Sequence, residues 1–262
     1  MENLGQLPVS YLHPSNVDGA KHTWGILSLL VKRLRQAWPQ IKIILRRDSG
    51  CSRHKMLTWC ERHNVCYIVG IAQNKRLNAI TTKWQQKAEE HFSESGEKVR
   101  RIYEFHYGAK SWRCLRRIIA KIERTEKGPN IRYVVTNLDG KPQFLYDKVY
   151  CARGDMENRI KEQQLDLFAD RTSCHHWWPN QFRLLLSSLA YILLEAIRRL
   201  ALQGTELAHA YVGTIRLRLI KIGAVILRNT RRIRFLLSSS CPNQKYCFYA
   251  SHKSLLQDNL KR

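Results

Sequence analysis

The sequence predicts an α/β fold: a strand–helix–strand crossover, then a β-rich insertion, then a helical carboxyl-terminal part. Three observations carry this expectation. Two short apolar runs, IKIIL at residues 41–45 and VCYIVGIA at residues 65–72, flank a helix-prone stretch at residues 54–63. β-branched runs of that length read as buried strands, and strand–helix–strand with short links implies a right-handed parallel crossover. Next, VRRIYEFHY (99–107), RRIIAKIER (116–124) and IRYVVTNL (131–138) alternate as antiparallel strands do. Beyond residue 150 the apolar positions recur at helical spacing instead.

Taken in order, the first ~16 residues allow one short strand, around residues 9–12. Ser15, Asn16 and Asp18 supply capping chemistry for a helix over residues 19–38, with Trp24, Leu27, Leu30, Val31 and Leu34 at helical spacing and Pro39 ending it. The strand at 41–45 leads into Arg46-Arg47-Asp48-Ser49-Gly50, which places a carboxylate at the carboxyl end of a buried strand. In open α/β sheets, ligands and chemistry collect at that edge. Residues 74–97 are polar and helix-prone, and the three alternating segments follow, separated by Gly-, Pro- and Asp-containing turns. Arg100, Arg101, Arg113, Arg116, Arg117, Lys121 and Arg124 are expected on exposed faces of this insertion, either as a solvated surface or as one that tracks phosphates. An apolar helix over 180–202 and a long two-faced helix over 207–237 complete the pattern. The expected divisions are a partial core (1–72), the insertion (73–147), the completing helices (148–237) and a mobile tail (238–262).

Composition narrows the partner. The chain has 262 residues, 44% of them hydrophobic, enough to fold around a sizeable core. Lys and Arg number 45 against 21 acidic residues, and a net charge of +24 asks for a polyanion. Nucleic acid fits better than a membrane, because the most apolar stretch, residues 184–197, is too short for a span and carries Glu195. No signal peptide is visible, and the eight cysteines show no framework spacing, so a reducing cytosol is expected. Cys51, His54, Cys60, His63 and Cys66 are spaced as zinc ligands can be, although Cys51 falls in a tight turn and His63 and Cys66 at a helix exit.

The most informative stretch runs from Leu145 to Ser173. Read as a helix from Tyr150, it brings Tyr150, Arg153, Glu157, Lys161 and Gln164 within roughly 80° of one another, with Met156, Ile160 and Leu167 on the adjoining arc. An inward Glu157 flanked by a cation and a phenol would belong to a site; an amphipathic surface helix with a Glu157–Lys161 pair is the plainer reading. Asp48 has its own plain reading, an Asx turn capping the next helix. Two carboxylates in a basic protein suit Mg²⁺ or Mn²⁺, hard cations that take oxygen ligands and that serve phosphoryl transfer on DNA. There is no Gly-rich phosphate loop, no G-x-S-x-G and no H-E-x-x-H. On residue pattern, metal-dependent nucleic-acid chemistry and plain DNA binding stand about even.

RRDSG after the first strand, YIVGIAQN, RRIIAKIE, NIRYVVTNL and YCARGDMENRIKEQQLDLFADRTS, in that order, resemble the DDE transposases of bacterial insertion sequences. The likeness is to the group-1 DDE domain class and its subgroup with a Tyr-x2-Arg-x3-Glu-x6-Lys signature, over residues 9–237. It implies a ribonuclease-H-like catalytic core with a β-rich insertion before the helix bearing the last acid. It also implies Mg²⁺ or Mn²⁺, DNA as substrate (transposon ends and target), a homodimer in the DNA complex, and a bacterial, nucleoid-associated location. By position, Asp48 corresponds to the second acidic metal ligand and Glu157 to the third. Tyr150 and Arg153 match the phosphate-contacting signature residues. Gln164 stands at the signature's lysine position, and Lys161, one turn earlier, is the nearest substitute. The first acid has no counterpart, since Glu2 is not in a buried strand and Asp18 begins a helix. The chain therefore resembles an incomplete core whose first strands are missing, the carboxyl-terminal part of a transposase, expected to bind DNA with little or no cleavage. The alternative is a non-enzymatic basic DNA binder that interferes with a full-length transposase.

Overall fold

The computed structural model describes residues 7–18 and 21–238. The chain divides into two compact units, one formed by residues 15–154, the other drawn from residues before 15 and after 154.

The first unit is a five-stranded mixed sheet in the order β1-β2-β5-β4-β3. Helix α1 (Thr23–Ala37) precedes β1 (Ile44–Arg47), a 3₁₀ turn (Ser49–Cys51), α2 (His54–Arg62) and β2 (Cys66–Ile71). Strands β1 and β2 pair in parallel, Ile44 opposite Cys66 through Arg47 opposite Val69, so the expected crossover is present. The first strand itself is displaced. It begins at Ile44 rather than Ile41, takes in Arg46 and Arg47, and lies at the end of the sheet with Ile44 exposed, not buried. Helix α1 likewise starts at Thr23, behind a turn that contains Ser15 and Asn16, and no side chain caps it.

Strand β2 is the centre of this unit. Tyr67, Ile68 and Val69 are fully buried because β1 and β5 flank the strand and apolar side chains cover both faces. Asn74 begins α3 (Lys75–Ser95) by accepting a hydrogen bond from the Leu77 amide at 2.9 Å. Gly96, at φ 67°, ends it in the left-handed conformation. Then β3 (Val99–Tyr107), β4 (Arg116–Thr125) and β5 (Gly128–Thr136) form the antiparallel meander read from the alternation. They extend the crossover's own sheet, since β5 pairs antiparallel with β2. Helix α4 begins at Pro142–Phe144, continues as a π-helix over Leu145–Tyr150, and lays Leu145 and Tyr146 against Ile68, Ile119 and Val134.

Helix α5 (Arg153–Lys161), which enters the second unit at Asp155, passes into a π-helical turn (Glu162–Asp166), and α6 (Trp177–Leu200) follows. Arg198 donates to Glu162 at 3.1 Å and also pairs with Glu195, while Arg159 lies 3.4 Å from Glu195, so ion pairs join the end of α5 to α6. The segment expected as a strand near residue 10 is not one. Instead, the Leu12 amide donates to Gln181 at 2.8 Å, and its carbonyl accepts from Trp177 at 3.1 Å. Helix α6 is a core helix on one side only: Tyr191 and Leu194 are buried, whereas Leu185, Leu186, Leu189 and Leu193 are exposed.

The long helix expected over 207–237 does not form. A short helix, α7 (Val212–Ile215), runs into a π-helix (Arg216–Ile220), and a two-stranded antiparallel hairpin follows, β6 (Ala224–Arg228) with β7 (Ile233–Leu237). The apolar residues do recur at helical spacing, but Gly223 breaks the run and AVIL and IRFL favour strand. Asn229 then fixes the turn, its side chain accepting from the Arg231 and Arg232 amides at 3.1 and 2.9 Å. The tail expected to be mobile lies, after Ser238, outside the described residues.

Candidate active site

Asp48 stands where β1 ends and the 3₁₀ turn begins, in extended backbone at φ −80° and ψ −179°. Its carboxylate caps neither that turn nor α2, whose N-cap is Arg53, so the Asx-turn reading is set aside. The side chain is about half exposed, and the guanidinium of Arg153 lies 3.5 Å from it.

Two features bring the end of α4 to this strand end. Arg46, the third residue of β1, donates to the Val149 carbonyl at 2.9 Å. Gly70 in β2 then leaves room for Tyr150. A Cβ on Gly70 would stand 2.7 Å from the Tyr150 hydroxyl, 3.0 Å from the Ser49 amide and 3.3 Å from the Asp48 carbonyl carbon. The bare glycine therefore leaves room for the phenol beside the turn backbone of Asp48 and Ser49. Tyr150 also packs against Tyr146, ring centroids 5.5 Å apart, and the Arg100 guanidinium sits 5.9 Å from the Tyr146 centroid. Burial pushes the Tyr150 phenol above its ordinary pKa, Arg153 and Arg132 act against that rise, and Asp48 adds to it. The phenol is thus a neutral O–H donor beside a carboxylate and a guanidinium.

Asp48, Tyr150 and Arg153 are brought together within the first unit. Glu157 and Lys161 belong to the second, on α5, and the inward orientation expected for Glu157 is not observed: it is exposed. The apolar side that should have turned the helix inward is exposed too, at Met156 and Ile160, and α5 buries none of its residues. Gln164 is also exposed, whereas the next carboxylate along, Glu162, is buried among arginines. Sequence reasoning missed Gly70, although a lone glycine inside an apolar strand is a recognised sign of close backbone approach.

The basic face expected on the insertion is largely neutralised. Arg116 is buried and donates to Glu61 at 2.6 and 2.9 Å; with Tyr67 also donating, these bonds outweigh burial and hold the Glu61 carboxyl below its ordinary range. Lys121 is buried against Glu123 at 2.5 Å, and with Lys98 it pulls that carboxyl down to about 2. Arg117 pairs with Glu104, Arg124 with Glu89, and Arg100 with Asp147. Of the residues expected on that face, Arg101 and Arg113 make no ion pair among the described residues.

Among the described residues the suggested zinc cluster does not assemble. Cys60 is fully buried within the core, where burial above all pushes its thiol up to about 12, and the His63 ring meets the Trp59 carbonyl at 2.8 Å. Among the described residues, no group of three or more His, Cys, Asp or Glu is placed to hold a metal ion. The same fact bears on a catalytic cation: the Asp48 carboxylate lies beside a guanidinium, and among the described residues no gathered group supplies the oxygen cage that Mg²⁺ or Mn²⁺ requires. Also among the described residues, no helix is long and apolar enough to cross a membrane.

Asp48 therefore stands at the carboxyl end of a parallel strand, where open α/β sheets collect ligands, with a phenol and a guanidinium near it. The family model described as transposase DDE domain, group 1, matches residues 2–258, and the chain belongs to that family. Membership implies DNA transposition and recombination, and a metal-dependent DNA phosphoryl-transfer class of enzyme. A search of curated proteins gives no match to the chain.

Proposed function

We propose that this chain is the DNA-binding part of an insertion-sequence DDE transposase, of the Tyr-Arg-Glu signature subgroup, carrying the second and third acids of a ribonuclease-H-like core. The observation that supports it most is the convergence of Asp48, Tyr150 and Arg153 at one strand end in a chain of this family. In this reading Arg153 and Tyr150 grip phosphates near the transposon end, the first as a fixed cation, the second as a neutral donor held by Gly70. Lys161 adds a further cation from α5, and the complex with DNA is a homodimer. Asp48 and Glu157 are the two acids of the family's metal site that the sequence supplies. Mg²⁺ or Mn²⁺ would supply Lewis acidity to the phosphoryl group in a complete site.

The first acid lacks support. Ahead of Asp48 the chain carries Glu2 and Asp18, and Asp18 is exposed and spends its carboxylate on Arg53 at 2.5 Å. The polypeptide by itself therefore binds duplex DNA without cutting it. The test is incubation of the purified chain with supercoiled plasmid and Mg²⁺ or Mn²⁺. Retarded but intact plasmid is expected, whereas metal-dependent nicking that Asp48→Asn abolishes would overturn the reading. A second reading, a non-enzymatic binder that competes with a full-length transposase, draws on the absence of any gathered metal-ligand group among the described residues. Genomic context separates the two: a neighbouring frame that encodes a further acid-bearing strand, between inverted repeats, favours the first.

A further inference from the structure

The β6–β7 hairpin concentrates charge that no ion pair among the described residues neutralises. Within seven residues it carries Arg228, Arg231, Arg232 and Arg234. Arg228 faces Ile233 across the ladder and Leu227 faces Arg234, so Arg228 and Arg234 project from opposite faces of the ribbon at its turn end. Arg231 and Arg232 lie in the turn, held there by the hydrogen bonds to Asn229, whose own backbone amide donates back to the Arg232 carbonyl at 3.0 Å. All four arginines are exposed, and among the described residues none has an ion pair. The opposite end of the ribbon is apolar, with Val225, Ile226 and Leu236 exposed. The hairpin is thus polarised, with its cations collected at the tip.

We propose that this tip is a duplex-DNA contact, the four guanidiniums gripping the phosphates that border one groove. The inference rests on the DNA-binding reading above and assigns part of it to a surface separate from the Asp48 cluster. Charge complementarity supports it. Four like charges on one short turn repel one another, and a polyanion relieves that repulsion, whereas a carboxylate-bearing protein partner would need an acidic patch of matching shape. Size agrees as well, because a two-stranded ribbon fits a major groove about 12 Å wide. Guanidinium forks suit phosphate oxygens better than ammonium groups do.

The experiment uses the full chain and a fluorescein-labelled duplex of arbitrary sequence, followed by anisotropy across a salt series. Replacing all four arginines with glutamine is expected to weaken binding more than tenfold at about 0.1 M salt. It should also flatten the plot of log affinity against log salt by roughly one for each phosphate no longer gripped. The matching four-lysine variant should keep most of that slope, showing that the effect comes from charge rather than from hairpin folding. A glutamine variant with wild-type affinity and slope would overturn the proposal while leaving DNA binding intact. Wild-type protein that fails to bind the duplex would defeat the underlying reading as well. Binding to vesicles of phosphatidylcholine and phosphatidylserine that depends on these arginines, with none to DNA, would reassign the tip to a membrane surface and also overturn it.

Discussion

Arg116 and Arg231 carry the same charge and meet different fates. Arg116 lies in β4, buried, its guanidinium held by both oxygens of Glu61 and by the Thr58 hydroxyl. Arg231 lies in a hairpin turn, exposed, with no carboxylate partner among the described residues. The contrast extends to their neighbours. Across the sheet, Arg100, Arg117, Lys121 and Arg124 each meet an acid, while among the described residues Arg228, Arg232 and Arg234 do not. A net charge of +24 says that a polyanion is wanted but not where it binds. The ion pairs engage most of the sheet's arginines with acids, whereas the hairpin arginines make none among the described residues, which favours the hairpin for contact with a polyanion.

The comparison can be broken most forcefully at Glu61. Glu61→Ala strands a buried guanidinium and should cost ~3 kcal/mol, read as a fall in the urea midpoint. A change under about 0.5 kcal/mol would mean that Arg116 does not depend on its partner. Gly70→Ala should cost about 1–3 kcal/mol, because the new methyl meets the Tyr150 hydroxyl and the turn backbone. Adding Tyr150→Phe should recover part of that loss. An additive double variant would mean that the phenol is not what the glycine accommodates.

Acid should dissect the Lys121–Glu123 pair. The Glu123 carboxyl is depressed in the folded chain to about 2, chiefly by the hydrogen bond from Lys121 and then by that from Lys98. Its contribution is therefore complete above the ordinary carboxylate range and is lost as pH falls from there toward about 2. Stability measured by urea at a series of acidic pH values should drop across that window, and Glu123→Gln should make the drop shallower. A profile unchanged by the substitution would contradict the pairing. The smallest effect is expected from Arg117→Gln with Arg124→Gln, which should change duplex affinity less than about threefold, because those charges already have partners.

Much of the first unit was legible. The β-branched runs, the alternation over β3 to β5 and the helix between β1 and β2 are local signals, and the structure repeats them with shifts of a few residues at their ends. Asp48 was legible for the same reason, since the end of a strand is a local feature. What was not legible depends on distant partners or on near ties. Arg116 finds Glu61 fifty-five residues away, and no spacing rule announces such a pair. The run after residue 207 carries helical spacing together with strand-prone residues, and Gly223 and Asn229 decide in favour of a hairpin. The helix wheel placed Glu157 on a shared face but could not say which way that face turns, and Met156 and Ile160, the residues that should have buried it, are exposed.

The most direct measurement is the salt dependence of duplex binding for three proteins side by side: the wild-type chain, the hairpin variant with all four arginines changed to glutamine, and the Arg117→Gln, Arg124→Gln sheet variant. The account predicts a steep wild-type slope, nearly the same slope for the sheet variant, and a slope shallower by about three to four for the hairpin variant. Equal loss from sheet and hairpin, or a slope that moves with the sheet arginines alone, would contradict it.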